Sequence, residues 1–94
     1  MEKIEKLFFV NLIERYVKTK IDIISRPKSN FDYVNEQMNT YHEQSITQYH
    51  EQLVTKYQCD VPKLNLYLDR FMPDLLYLPE EKYPQFIELL VNVI

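Results

Sequence analysis

The chain has 94 residues, enough for one domain and too few for two. Hydrophobic residues make up 46% and charged residues 27%, a balance typical of a soluble globular domain rather than a disordered tail. Because the sequence contains no glycine, it excludes phosphate-cradling loops, dinucleotide-binding fingerprints and the nucleophile elbow of hydrolases, which all need that residue.

Cysteine content and apolar runs predict the cellular setting. The single cysteine, Cys59, excludes an intramolecular disulfide, whereas small domains of oxidising compartments usually carry several. The longest early apolar run, residues 7–10, is far shorter than the ~20 residues of a membrane span, and no signal-peptide pattern occurs. We therefore expect a cytoplasmic protein. The lack of alanine and glycine beside abundant A/T-codon residues indicates a low-GC bacterium, a phage or a virus.

The first predicted helix covers about residues 2–24, a stretch without proline. Placed at about 100° per residue, five of its polar residues from position 11 onward fall in one narrow stripe, and almost all the others are apolar. The apolar arc spans roughly 200°, whereas an ordinary surface helix shows about 100°. Such a helix needs cover on two sides, so we expect it to be central or to meet a partner. The polar stripe is Asn11, Glu14, Arg15, Lys18 and Asp22.

A proline separates the first helix from a long second one. Pro27 predicts the end of the first helix, because the residue before a proline avoids the α region. Ser29 and Asn30 are candidate N-caps, and Asp32 resembles the distal residue of a capping box. The second helix is predicted over about residues 31–58. Its sparse apolar positions are three, four or five residues apart, so we expect a long amphipathic helix with one solvent-exposed face.

The second predicted helix carries an internal repeat and a periodic series of tyrosines. The tetrapeptide Tyr-His-Glu-Gln at 41–44 recurs at 49–52. Tyrosine recurs every eight residues, so each tyrosine is rotated by ~80° around the helix axis from the one before it. These side chains therefore spiral around the helix and cannot all face the core. Because tyrosine is enriched at protein–protein contacts, we predict that they bind a partner, with core filling as the alternative. They are Tyr33, Tyr41, Tyr49 and Tyr57.

Prolines divide the rest of the chain. A third helix is predicted over about residues 62–72, because Pro62 is tolerated at a helix start and Pro73 is expected to end it. Residues 74–78 form one short turn, and a last helix covers about 84–94, with a terminal strand as the alternative for its β-branched tail. We therefore predict an all-α bundle of four helices, or five if the short turn is counted.

No pattern in the sequence predicts a catalytic, metal or cofactor site. His42 and His50 lie ~12 Å apart along one helix, whereas helical metal ligands are three or four residues apart, so we expect both to be exposed. Cys59 follows a helix C-terminus, where the dipole disfavours a thiolate, and we interpret it as a small buried hydrophobic residue. Glu80 and Glu81 are expected in the turn before the last helix. We predict a protein that is not an enzyme.

Positive charge is concentrated at the start of the chain. Residues 1–28 hold seven basic and four acidic residues, a balance of +3, whereas the rest holds four and ten, a balance of −6. This basic segment could meet an anionic partner, although basic residues near a helix end also match the helix dipole. The pI of about 5.3 argues against nucleic-acid binding, which usually needs a basic face. The candidate anion contacts are Lys18, Lys20, Arg26 and Lys28.

These features favour a small protein that acts by stoichiometric binding, as an inhibitor, immunity protein, adaptor or assembly chaperone does. A second candidate interface is the apolar C-terminal helix, at Phe86 and Leu90. The alternative function is a DNA-binding regulator that uses the basic end of the first helix. Heptad-like stepping in the second helix also fits a symmetric homodimer. The heptad-like positions are Phe31, Val34, Met38 and Tyr41.

Overall fold

The computed structural model describes residues 3–25 and 30–94, which form an all-α bundle of four helices. The predicted fold class is confirmed, and within these ranges there is no strand. The C-terminal segment is a helix, preceded by a 3-10 helix at Glu80–Lys82. None of the helices described is both long and apolar enough to cross a membrane. The helices are α1 (Lys3–Ser25), α2 (Asp32–Tyr57), α3 (Val61–Leu75) and α4 (Tyr83–Val93).

Helix α1 is the central element of the bundle, as its wide apolar arc predicted. Placed at about 100° per residue, its buried side chains span roughly 180° of the helix circumference. Helices α2, α3 and α4 all pack against α1, so both flanks of its middle section are covered within the chain. The buried residues are Phe9, Leu12, Ile13, Tyr16, Val17 and Ile21.

Helices α1 and α2 form an antiparallel pair whose ends are not level. The rings of Phe9 and Tyr57 are 5.1 Å apart between centroids, which joins the start of α1 to the end of α2. At the other end, Ile24 shares a cavity wall with Ile46. Because α1 ends one residue after Ile24, residues 32–41 of α2 extend ~15 Å beyond it. None of these ten residues is buried.

The core side of α2 is therefore confined to residues 42–57. Leu53 is completely buried, and Ile46, Tyr49 and Tyr57 are half-buried against the core. The rest of the core comes from α3 and α4, whose regularly spaced apolar residues pack into the bundle with those of α1. These are Val61, Leu64, Leu68, Met72 and Leu75 from α3, and Ile87 and Leu90 from α4.

Helix α3 continues through Pro73 to Leu75, whereas the sequence analysis placed its end at residue 72. A proline in a helix removes one N–H donor and crowds the carbonyl four residues earlier. The residues after it still form their own helical backbone hydrogen bonds. The N–H of Leu76 donates to the Met72 carbonyl at 3.1 Å. The turn predicted at 74–78 thus begins as the last turn of α3.

The N-terminus of α2 differs from the predicted cap. Phe31, with an extended backbone (φ −106°, ψ 118°), occupies the N-cap position and makes no side-chain cap hydrogen bond. Asn30, one of the two expected caps, lies one residue too early, and Ser29 lies outside the described residues. Asp32 is in the first turn, where its carboxylate offsets the positive end of the helix dipole.

The C-terminus of α2 shows how the chain does without glycine. Gln58 has φ 52° and ψ 37°, a left-handed conformation that glycine most often fills at this position. Of the residues described, it alone has a positive φ. The next residue, Cys59, donates its N–H to the Leu53 carbonyl at 2.9 Å, which closes the helix end.

Candidate functional site

The four predicted tyrosines divide into two exposed and two half-buried side chains. Tyr33 and Tyr41 lie on the overhanging first half of α2 and are exposed. Tyr49 and Tyr57 lie on the second half, where they pack against the core. The ring of Tyr57 also contacts that of Phe9. The tyrosine surface open to a partner is thus the first half of α2.

The C-terminal helix offers less surface than its composition suggested. Leu90 is buried in the core, so it packs within the chain rather than lining a surface. Phe86 is half-buried, with its ring edge-on to that of Phe71 at 6.2 Å between centroids. The exposed apolar residues of α4 are Leu89 and Val93, which face away from the core.

Two of the four predicted anion contacts, Lys18 and Lys20, interact with other side chains of α1. The Lys18 ammonium lies 2.9 Å from a carboxylate oxygen of Glu14, and this hydrogen bond is the main reason that the pKa of Lys18 is raised. The Lys20 ammonium lies over the ring of Tyr16, 5.4 Å from its centroid. Arg26 and Lys28 lie outside the described residues.

The two copies of the repeated tetrapeptide place their histidines in different surroundings. His50 is exposed, as expected, but His42 is only 7% exposed, which corrects the expectation for that residue. On the helical wheel His42 lies ~20° from Leu53, on the core side of α2, whereas His50 is turned by ~80° from His42. Among the described residues, nothing forms a hydrogen bond with the buried Nδ1 of His42.

The remaining candidates for chemistry lie apart. Cys59 is half-buried against the core, and burial, followed by the neighbouring Asp60 carboxylate, raises the pKa of its thiol. Glu80 and Glu81 are exposed in the 3-10 helix before α4. In the described part of the chain, no three His, Cys, Asp or Glu side chains are grouped as metal ligands would be.

Exposed apolar residues on the overhang form a surface that we term the α2 face: Val34, Met38 and Tyr41. On the helical wheel they lie within ~60° of one another, and the sequence singled them out as heptad-like positions. Tyr33 is exposed beside them, and its hydroxyl accepts a hydrogen bond from the Gln37 amide at 2.8 Å. The α2 face is next to the core stripe of α2, at the level where α1 has ended.

A second apolar surface, which we term the open groove, was not expected from the sequence. Ile23 and Ile24 of α1 line it with Ile46 of α2 and Met72 of α3, and it encloses about 460 Å³. A helical wheel of α1 places the two isoleucines within the buried arc, but it does not reveal that they are exposed. The remaining lining residues are Lys20, Glu43, Thr47 and Asp69.

Compared with known protein families, curated proteins and solved structures, the chain matches none. The α2 face and the open groove are therefore the surfaces from which a function is inferred.

Proposed function

We propose that this protein is a protein-binding module that acts by stoichiometric binding rather than by catalysis. The observation that carries the proposal is the overhang of α2, where residues 32–41 contribute nothing to the buried core yet expose Tyr33, Val34, Met38 and Tyr41. Large apolar side chains grouped on a surface are a feature of partner-binding sites, and tyrosine is among the residues enriched there.

The composition of the overhang supports a protein partner. Tyrosine buries a large area at low conformational cost and keeps a hydroxyl for hydrogen bonding, while methionine adapts to irregular surfaces. A helix that presents apolar anchors at i, i+4 and i+7 matches helix-in-groove recognition, in which one helix lies along another surface. Val34, Met38 and Tyr41 have this spacing.

The biological role follows as part of the same proposal. A single cysteine fits a protein of the cytoplasm, and codon preference fits an A/T-rich bacterium, phage or virus. Inhibitors, immunity proteins, adaptors and assembly chaperones of this size act by occupying a partner at a fixed ratio. A DNA-binding regulator has less support, because Lys18 and Lys20 are engaged with Glu14 and Tyr16.

The test is affinity capture from a lysate of the cell that encodes the protein. We expect one protein to be recovered at about a one-to-one ratio, and we expect the double variant Val34→Asp/Tyr41→Ala to lose it. Tyr77→Ala is the matched control, because Tyr77 is 87% exposed and lies in the turn after α3. Recovery of nucleic acid alone, or equal capture by the double variant, would contradict the proposal.

A further inference from the structure

The open groove continues the hydrophobic core beyond the point where the described helices cover it. On the helical wheel of α1, Ile23 and Ile24 lie inside the ~180° arc that is buried between Phe9 and Ile21. They are nevertheless 45% and 54% exposed, although their direction is that of core residues. Their exposure arises from position along the helix, because the surrounding helices do not close over the end of α1.

The open groove has walls from three helices and an uneven distribution of charge. Its apolar lining comes from α1, α2 and α3, and its volume of about 460 Å³ is within the range of ligand-binding clefts. The carboxylates of Glu43 and Asp69 line it, and neither forms an ion pair with any described residue. Lys20 also lines it, but its ammonium lies over the Tyr16 ring. Among the described residues, the charged lining is thus two carboxylates and one ammonium, a balance of −1.

We propose that the open groove binds an amphipathic helix of a partner protein, one whose apolar stripe is flanked by lysine or arginine. This inference rests on the proposed function and names the chemistry of the partner. The carboxylates of Glu43 and Asp69, which form no ion pair within the described part of the chain, select basic flanking residues by charge complementarity.

The apolar lining explains why the occupant is a helix. An extended segment would bury backbone N–H and C=O groups against the isoleucine and methionine half of the lining, which offers no partners, whereas a helix satisfies these groups internally. The Thr47 hydroxyl already donates to the Glu43 carbonyl at 2.8 Å.

The test uses two synthetic helical peptides that share one leucine stripe at i, i+3, i+4 and i+7. One carries lysine beside the stripe and the other carries glutamate at the same positions. Titrated into isotope-labelled protein, the lysine peptide is expected to shift the NMR signals of Ile23, Ile24, Ile46 and Met72. It should bind at least about tenfold more tightly than the glutamate peptide.

Matched variants distinguish the effect of the groove carboxylates from the effect of the net charge of the protein. Glu43→Gln/Asp69→Asn is expected to weaken binding of the lysine peptide by about tenfold, the effect of losing two surface ion pairs. Glu51→Gln/Asp74→Asn removes the same charge from exposed sites that do not line the groove, and it should bind like the parent protein. Ile24→Asp should abolish binding while the circular dichroism spectrum stays unchanged.

Several outcomes would overturn this inference. Equal affinity for the two peptides, or equal weakening by the control variant, would mean that the groove does not select a basic helix. Concentration-dependent light scattering that is abolished by Ile24→Asp would mean that a second copy of the chain occupies it. If peptide binding fails while lysate capture still yields a one-to-one partner, only this inference fails. If both fail, the proposed function fails with it.

Discussion

Tyr16 and His42 are buried polar residues with opposite hydrogen-bonding states. The Tyr16 hydroxyl donates to the Asn65 side-chain oxygen at 2.8 Å and so joins α1 to α3. The buried Nδ1 of His42, in contrast, finds no partner among the residues described. A hydrogen bond adds modest stability, whereas a buried polar atom without a partner keeps its full desolvation penalty. Substitution at these two positions should therefore change stability in opposite directions.

Tyr16→Phe is expected to lower the free energy of unfolding by about 1 kcal/mol, because it removes the interhelical hydrogen bond and leaves the Asn65 oxygen without its donor. Urea denaturation followed by circular dichroism measures the change. Tyr77→Phe removes the same hydroxyl from an exposed site and should leave stability within about 0.5 kcal/mol of the parent. Equal effects of the two substitutions would contradict the role given to Tyr16.

His42→Leu is expected to raise the free energy of unfolding by about 1 kcal/mol, because an apolar side chain of similar size removes a desolvated nitrogen without opening a cavity. The same substitution at His50, which is exposed, should change stability by less than about 0.5 kcal/mol. Thermal melts of both variants provide the measurement. A clear loss of stability in His42→Leu would show that the histidine has a partner.

At the scale of the element, the helix ends show how a chain without glycine or alanine terminates its helices. Gln58 adopts the left-handed conformation that closes α2, and Asp60 caps α3 by accepting the Lys63 backbone N–H at 3.1 Å. Pro73 lies within the last turn of α3 rather than beyond it. At two of these three positions, Gln58 and Pro73, a different residue would fit the backbone conformation better.

Gln58→Gly is expected to stabilise the protein by about 0.5–1 kcal/mol, because glycine adopts a positive φ without a Cβ clash. The gain should appear as a higher midpoint in urea with an unchanged m-value. Gln52→Gly places the same residue inside α2, where the structure requires a helical φ, and should instead cost about 1 kcal/mol. Destabilisation by both glycines would refute the strain assigned to Gln58.

Pro73→Ala is expected to stabilise α3 by about 1–2 kcal/mol, because alanine restores an N–H donor and relieves the carbonyl four residues earlier. Pro62→Ala is the contrasting change, since Pro62 is in the first turn, where the N–H has no helical acceptor. It should be neutral or slightly destabilising. The unfolding midpoint of Pro73→Ala should therefore be higher than that of Pro62→Ala in denaturation curves.

The helices could be predicted from the sequence because their boundaries depend on local chemistry. Proline placement and apolar spacing fixed most ends to within a residue, including the start of α4 near Pro84. The end of α3 could not be fixed in this way, because a proline only disfavours the helix at its own position. Bonds made by later residues, such as that from Leu76 to Met72, decided the outcome.

At the scale of the whole molecule, the relative lengths of neighbouring helices determine which apolar residues are covered. A helical wheel gives the direction of each side chain, but it does not say how far a neighbouring helix extends. For this reason the arc of α1 was predictable, whereas the exposure of Ile23 and Ile24 was not. The burial of His42 was missed because the repeat suggested equal environments for two copies that occupy different levels of the bundle.

The overhang also predicts a gradient of local stability along α2. Amide hydrogens of residues 35–41 are expected to exchange at least about tenfold faster than those of residues 49–56, because the buried residues of α2 all lie beyond residue 41. Hydrogen exchange followed by NMR measures both sets in one experiment. Uniform protection along α2 would show that the overhang is held by contacts of its own.

The repeated tetrapeptide of α2 determines what a change in the length of this helix would do. Insertion or deletion of one repeat unit adds or removes eight residues. Such an event preserves the reading frame and the helix, yet it rotates everything beyond it by ~80° and displaces it by ~12 Å. Because Leu53 is held in its fully buried position by the core, the part that moves is the overhang, and the α2 face would point in a different direction from the bundle.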